Sequence, residues 1–164
     1  MADETTVELD LAALGRGFPG VSSVRGAQHA EAASISLHRQ GHASGAELRL
    51  IGIGNRSFRL RIQAITEQIE RSWGDHQEAT EDGACGLAFL VVLLVTDYTV
   101  IDRSAKGTGI DYWLGHRDAE PFERAARLEC SGIANGAEGV ARTRTREKMK
   151  RAMKSGSATP VYVC

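Results

Sequence analysis

The run Leu87-Ala-Phe-Leu-Val-Val-Leu-Leu-Val95 constrains this chain most. It is too short to span a bilayer, which takes about 20 apolar residues in a helix. Gly74-Asp75 and a segment bearing Glu78, Glu81 and Asp82 come before it. Acidic residues are favourable at the positive end of a helix dipole, and Asp75 suits an N-cap. The pattern predicts a helix from Gln77 to Val95 whose later turns are apolar nearly all round, as in a helix buried against a sheet. Gly83 and Gly86 thin one of its faces, where another backbone can come close.

The residues after Val95 supply that sheet. Tyr98 to Arg103 reads as a strand from its β-branched content, and Ser104 to Thr108 as a turn. Gly109 to Leu114 and Arg127 to Ile133 read as two more strands, with a loop from Gly115 and a helical turn over Pro121 to Ala125 between them. Val140 to Lys154 reads as a helix with Met149 and Met153 facing inward, and Pro160 to Cys164 as a last strand. The predicted order is α-β-β-β-α-β.

The N-terminal part has a different period. Met1 to Gln28 is broken by glycines and reads mostly as loop, with a short helix around Leu9 to Leu14. From Glu31 to Ile62, three runs alternate apolar and polar residues: Ala33/Ile35/Leu37, Leu48/Leu50 and Phe58/Leu60/Ile62. Glycine-bearing turns separate them, which predicts a three-stranded antiparallel meander. Ile62, Ile65, Ile69 and Trp73 then recur at helical spacing, predicting a helix over Gln63 to Trp73. The expectation is an α/β protein in one domain, residues 1–164. Residues 29–76 form the meander and helix, and residues 77–164 the core.

Composition narrows the class. The three cysteines, Cys85, Cys130 and Cys164, have no C-x-x-C spacing, which disfavours a zinc knuckle or a disulfide framework. The acidic start, Met-Ala-Asp-Glu, has no apolar segment of a signal peptide. Reduced thiols in a cytoplasmic protein without a membrane anchor are expected. The formal net charge of −1 hides a basic segment containing Arg142, Arg144, Arg146, Lys148, Lys150, Arg151 and Lys154. Such a segment is either a solvated helix face or a track for phosphates.

Two acidic residues stand out. Asp111 interrupts the apolar run Ile-Asp-Tyr-Trp-Leu, where a charge is costly unless paired or metal-bound. Alternation on the third strand points Arg127, Glu129 and Ser131 one way, with Leu128 and Cys130 the other. If the two strands pair, Asp111 and Glu129 can share one Mg²⁺, an ion that takes few carboxylates and binds phosphate oxygens. The plainer alternatives are a solvent-facing Asp111 and a Glu129 paired with Arg127 or Arg103.

With helix Gln77–Val95, Gly109-Ile-Asp111 and Glu129-Cys-Ser131 in that order, the chain resembles the PD-(D/E)XK, or restriction-endonuclease-like, nuclease superfamily. The resemblance covers roughly residues 77–164 and rests on short motifs. It implies an Mg²⁺- or Mn²⁺-dependent endonuclease acting on DNA phosphodiesters. Asp111 and Glu129 would be ligands, and Glu81 or Glu78 would fill the acidic position on the first helix. The superfamily's motif lysine is Ser131 here, and a hydroxyl cannot carry that charge. Lys106 and Arg127 are the candidate substitutes. Arg142, Arg144, Arg146, Lys148, Lys150 and Arg151 would contact nucleic acid. The alternative is a catalytically inactive protein of this fold that binds nucleic acid or a protein partner. Exposed strand edges in so small a domain also suit a two-fold homodimer.

Overall fold

The computed structural model describes residues 7–154 and 157–164; the acidic N-terminal tetrapeptide lies outside them. In chain order it contains β1 (Val7–Asp10), a 3-10 helix (Leu11–Arg16), α1 (Ser23–Arg39), β2 (Glu47–Leu50), β3 (Arg56–Arg61) and α2 (Glu67–Ser72). Then come α3 (His76–Val95), β4 (Tyr98–Arg103), β5 (Tyr112–His116), β6 (Ala126–Glu129), α4 (Glu138–Met153) and β7 (Val161–Val163). The described residues thus make a mixed α/β protein with five helices and two sheets, of three and four strands.

The predicted central helix is α3. Asp75 Oδ1 accepts the backbone N–H groups of Gln77 (2.9 Å) and Glu78 (3.1 Å), which fixes where it begins. Phe89 is fully buried near its middle and meets Phe18, His29 and Tyr112 edge-on, with ring centroids 5.6, 5.3 and 4.8 Å apart. The expected close backbone approach is also found. A Cβ built on Gly83 would lie 2.7 Å from Ala33 Cα, and one on Gly86 2.9 Å from Leu14 Cδ1. The elements at those positions are α1 and the 3-10 helix, so small residues set the layer spacing.

The antiparallel N-terminal meander is not formed. Ala33 to His38, read as its first strand, belongs to α1. Its alternation, Ala33/Ile35/Leu37 against Ser34/Ser36/His38, spans only six residues, and Ala33 and Leu37 fall four apart on one helix face as readily as on one strand face. His29, Ala33 and Leu37 fall at helical spacing on the side packed towards α3, Gly26 lies against Leu14 of the 3-10 helix, and Ser22 Oγ caps the helix by accepting the Arg25 N–H (3.3 Å). The three-stranded sheet forms instead in the order β1-β3-β2, with β1 parallel and β2 antiparallel to β3. Its missing strand is thus Val7–Asp10, in a segment read as loop with a short helix. The helix expected over Gln63–Trp73 contracts to α2, and Pro121–Ala125 is not helical.

The four-stranded sheet runs β4-β5-β6-β7. Its first three strands are antiparallel neighbours, and β7 is parallel to β6. With α3 before it and α4 inserted before β7, the order α-β-β-β-α-β is present. Val100, Tyr112, Leu114 and Leu128 share one core cluster with Phe89 and Leu90 of α3. Helix α4 is placed differently: Ala152 is its only buried residue. Met149 is half-buried, but Met153 points outward, 65% exposed, contrary to expectation. No helix among the described residues is long and apolar enough to cross a membrane.

Candidate active site

The β5–β6 ladder brings the two singled-out carboxylates together. It sets Tyr112 opposite Leu128 and Trp113 opposite Arg127, and one more step in that register sets Asp111 opposite Glu129. Directly opposed residues share a face of the sheet. Asp111 sits just before β5, its N–H donating to Leu128 O (2.9 Å) and its carbonyl accepting the Ser104 N–H (2.8 Å). Its Oδ2 accepts the Cys130 N–H (2.8 Å), so the backbone beyond β6 holds the carboxylate in place.

Glu129 has a partner that the sequence did not reveal. Lys148 of α4 reaches across the sheet end, its Nζ 2.5 Å from Glu129 Oε1 and 3.3 Å from Cys130 O. The two side chains are only 22% and 12% exposed, so this pair is largely removed from water. Burial raises the Glu129 pKa above the usual carboxylate value, the Lys148 hydrogen bond opposes that, and the nearby Asp111 charge raises it again. Two carboxylates and one ammonium therefore meet where β5, β6 and α4 converge.

Two depressions share Asp111 and Arg103 in their linings. One, of about 230 Å³, is lined among others by Glu81, Asp82, Arg103, Asp111, Arg144 and Lys148. The other, of about 380 Å³, is lined by the turn carrying Lys106 and by Asp111 and Glu129. Arg103 stands over the Tyr112 ring (5.3 Å to its centroid) and donates to Tyr112 Oη (2.8 Å). Burial pushes the Tyr112 pKa up to about 12.

The remaining candidates divide. Glu81 lines the smaller depression, whereas Glu78 is exposed and lines neither. Asp82, one residue further along α3, also lines it; its Oδ2 accepts the Gln28 amide (2.9 Å). Ser131 lines the depression as well, and its buried Oγ has no hydrogen-bond partner among the described residues. Lys106 is exposed on the rim. Arg127 has another task. It is 3% exposed, and its guanidinium donates to the carbonyls of Ala152 (2.9 Å), Ser157 (3.4 Å) and Thr159 (2.8 Å). That binds α4 to the segment leading into β7 and takes Arg127 away from a phosphate-clamping role.

The basic residues of α4 form two stripes. Arg144, Lys148 and Arg151 line a groove of about 660 Å³, with Lys148 half-buried and the two arginines exposed, while the exposed Arg142, Arg146 and Lys150 lie off it, with Arg142 paired to Glu138. Among the described residues, no three His, Cys, Asp or Glu side chains are grouped so as to hold a metal. The donor set near Asp111 is thus a carboxylate pair, which suits an ion that keeps most of its waters. No protein-family model, curated protein or solved structure matches this chain.

Proposed function

We propose that this protein is a divalent-metal-dependent nuclease of the restriction-endonuclease-like kind, hydrolysing DNA phosphodiesters at Asp111 and Glu129. One observation carries this reading. The lysine missing from position 131 has a counterpart in Lys148, whose Nζ arrives at Glu129 from α4. The α-β-β-β-α-β order and the mixed four-stranded sheet support it.

The carboxylate pair fits a cation: burial first, and then the neighbouring Asp111 charge, raise the Glu129 pKa, and a metal held by the two would offset both. Asp111 and Glu129 would hold Mg²⁺ or Mn²⁺, which when bound supplies charge to polarise the phosphodiester and acidify a water. The chain's own groups do the rest. The Cys130 N–H keeps Asp111 oriented, and Arg103 and Arg144 offer guanidinium groups to the phosphate oxygens. Lys148 hydrogen-bonds Glu129 and is placed to orient an attacking water and stabilise charge that develops on it. The exposed stripe of α4 adds contacts to the nucleic-acid backbone.

Substitution of Asp111 by Ala tests the reading. Cleavage of labelled duplex DNA in Mg²⁺ should fall at least ~10³-fold, with the fold intact by circular dichroism. Full retention of cleavage overturns it. A second reading, an inactive binding module of the same fold, draws on the absence of a three-ligand group among the described residues. Calorimetry showing no Mg²⁺ or Mn²⁺ uptake by the wild type, together with salt-sensitive DNA binding, would select it.

A further inference from the structure

The hairpin of β2 and β3 ends in a tip that the rest of the fold leaves uncovered. Residues 51–57 are all exposed, and two of them are large and apolar, Ile51 at 49% and Ile53 at 54%. The backbone of the tip is set from within. Gly52, Gly54 and Asn55 take positive φ of 118°, 88° and 39°, and the Gly52 N–H donates to Asn55 Oδ1 (3.0 Å). A Cβ built on Gly52 would meet nothing within 4 Å, so the turn stands clear of other elements.

Two arginines flank this apolar tip. In the ladder Arg49 stands opposite Ser57 and Leu50 opposite Arg56, so the two guanidinium groups leave opposite faces of the ribbon. Arg56 Nε lies 3.6 Å from the Cβ position of Gly54, at the tip itself. From Leu48 to Phe58 they are the only charged residues, whereas Arg61, further from the tip, is paired with Glu8 and Asp10. The ribbon also adjoins α4. The hydrogen bond and charge of Arg142 hold the Glu138 carboxyl below its usual pKa, and the Arg49 charge adds to that.

We infer that this hairpin is a wing for duplex DNA, which sets Arg49 and Arg56 on the phosphates of the two strands across the minor groove and wedges an isoleucine of its tip between base steps. This rests on the reading of the protein as one that acts on DNA, and narrows the substrate to a duplex that bends. Paired arginines account for attraction to a polyanion but not for the apolar tip between them. Apolar side chains inserted from the minor groove do account for it: they unstack a base step and kink the duplex, while Arg and Asn beside them contact base edges and backbone. The dimensions agree. Two paired strands lie about 4.8 Å apart, and a minor groove about 6 Å wide opens further at a kink. Gly52 and Gly54 keep the tip thin. Guanidinium groups on opposite faces match two backbones on either side of a groove, whereas a membrane presents its anions in one plane.

The test uses the full-length protein in EDTA, which stops metal-dependent cleavage, and a short duplex with donor and acceptor dyes at its ends. Binding of the wild type should raise energy transfer, as a bend of about 20–90° brings the ends together. This readout does not depend on how any variant folds. Ile51→Ser combined with Ile53→Ser should abolish the bend and weaken binding roughly tenfold, the effect of leaving one apolar side chain in water. Arg49→Gln combined with Arg56→Gln should keep the bend and lower the magnitude of the salt slope by about 1.8. All four side chains are exposed, so the urea midpoints should not move. A wild type that binds the duplex without bending it, or isoleucine variants that bind and bend it like the wild type, would overturn the inference. So would isoleucine variants that lose binding to phosphatidylserine vesicles, or a wild-type dimer, while DNA binding is unchanged. The outcome stands apart from the cleavage reading: an Asp111→Ala protein that cuts normally defeats catalysis at that residue and leaves the bend as it was.

Discussion

Helices α3 and α4 flank the same sheet and are held by different forces. Of its 20 residues α3 buries eight, including Phe89 and Leu90, whereas α4 buries one of 16 and carries six Lys or Arg against two Glu. One is located by the removal of apolar surface from water, the other by a few polar links near its C-terminal end. Stability therefore rests on α3, while the proposed chemistry draws on Lys148 of α4. Mutations in α3 should act on the fold, and mutations in α4 on what the fold does.

The sharpest test of that division is Phe89→Ala, which should cost about 3–5 kcal/mol of unfolding free energy. Arg146→Ala on α4 should change it by less than about 0.5 kcal/mol. Urea denaturation measures both, and similar values would erase the contrast. Next in size is Lys148→Met, expected to lower cleavage about 10²-fold. It also leaves Glu129 partly buried without its cation. The Glu129 pKa, already raised, should rise further, so the protonated form is favoured in the folded state. Stability of this variant should therefore be greatest below the ordinary carboxylate pKa and decline as pH rises through the raised value. A loss that grows towards acid would contradict that account.

A third effect belongs to the α1–α3 contact. Burial lowers the His29 pKa below its usual 6.5, against a raising hydrogen bond from Nδ1 to Asp82 O (2.9 Å) and the Asp82 charge, with Arg25 and Arg103 adding to the lowering. The unfolded chain then binds the proton more readily. Stability from this group is fully present above pH 6.5 and is lost as pH falls towards the depressed folded value. His29→Gln should flatten that part of the stability–pH curve. The smallest change is expected from Lys150→Gln, which removes one exposed charge from α4. The slope of log affinity for DNA against log salt should decrease in magnitude by about 0.9. An unchanged slope would remove Lys150 from the contact.

Much of the core is legible in the amino-acid sequence. The Asp75 cap and the nine-residue apolar run locate α3, and β-branched residues locate β4. Period-two alternation puts Asp111 and Glu129 on strands able to pair. Helix α1 escapes such a reading because Ile35 and Leu37 alternate with serines by chance, while the alanines before them carry little periodic signal; Ser22 with the alanine-rich run after it is the available clue. Lys148 can be seen as basic but not as a partner of Glu129. That relation depends on the crossing of α4 over the sheet end, which no local pattern specifies. The contacts of Arg127 are hidden for a related reason: the carbonyls of Ala152, Ser157 and Thr159 come from distant parts of the chain.

The Arg127 contact has a mechanical consequence. It pins α4 at Ala152, and Lys148 lies four residues from that pin, about 6 Å along a helix that rises 1.5 Å per residue. Glu138, at the other end, is fourteen residues away, about 21 Å along the same axis. A small tilt about the pin displaces the far end over three times as much as the lysine. If α4 docks on DNA as proposed, its outer arm would have the longer reach to follow the backbone, while the ammonium group would stay in register with Glu129.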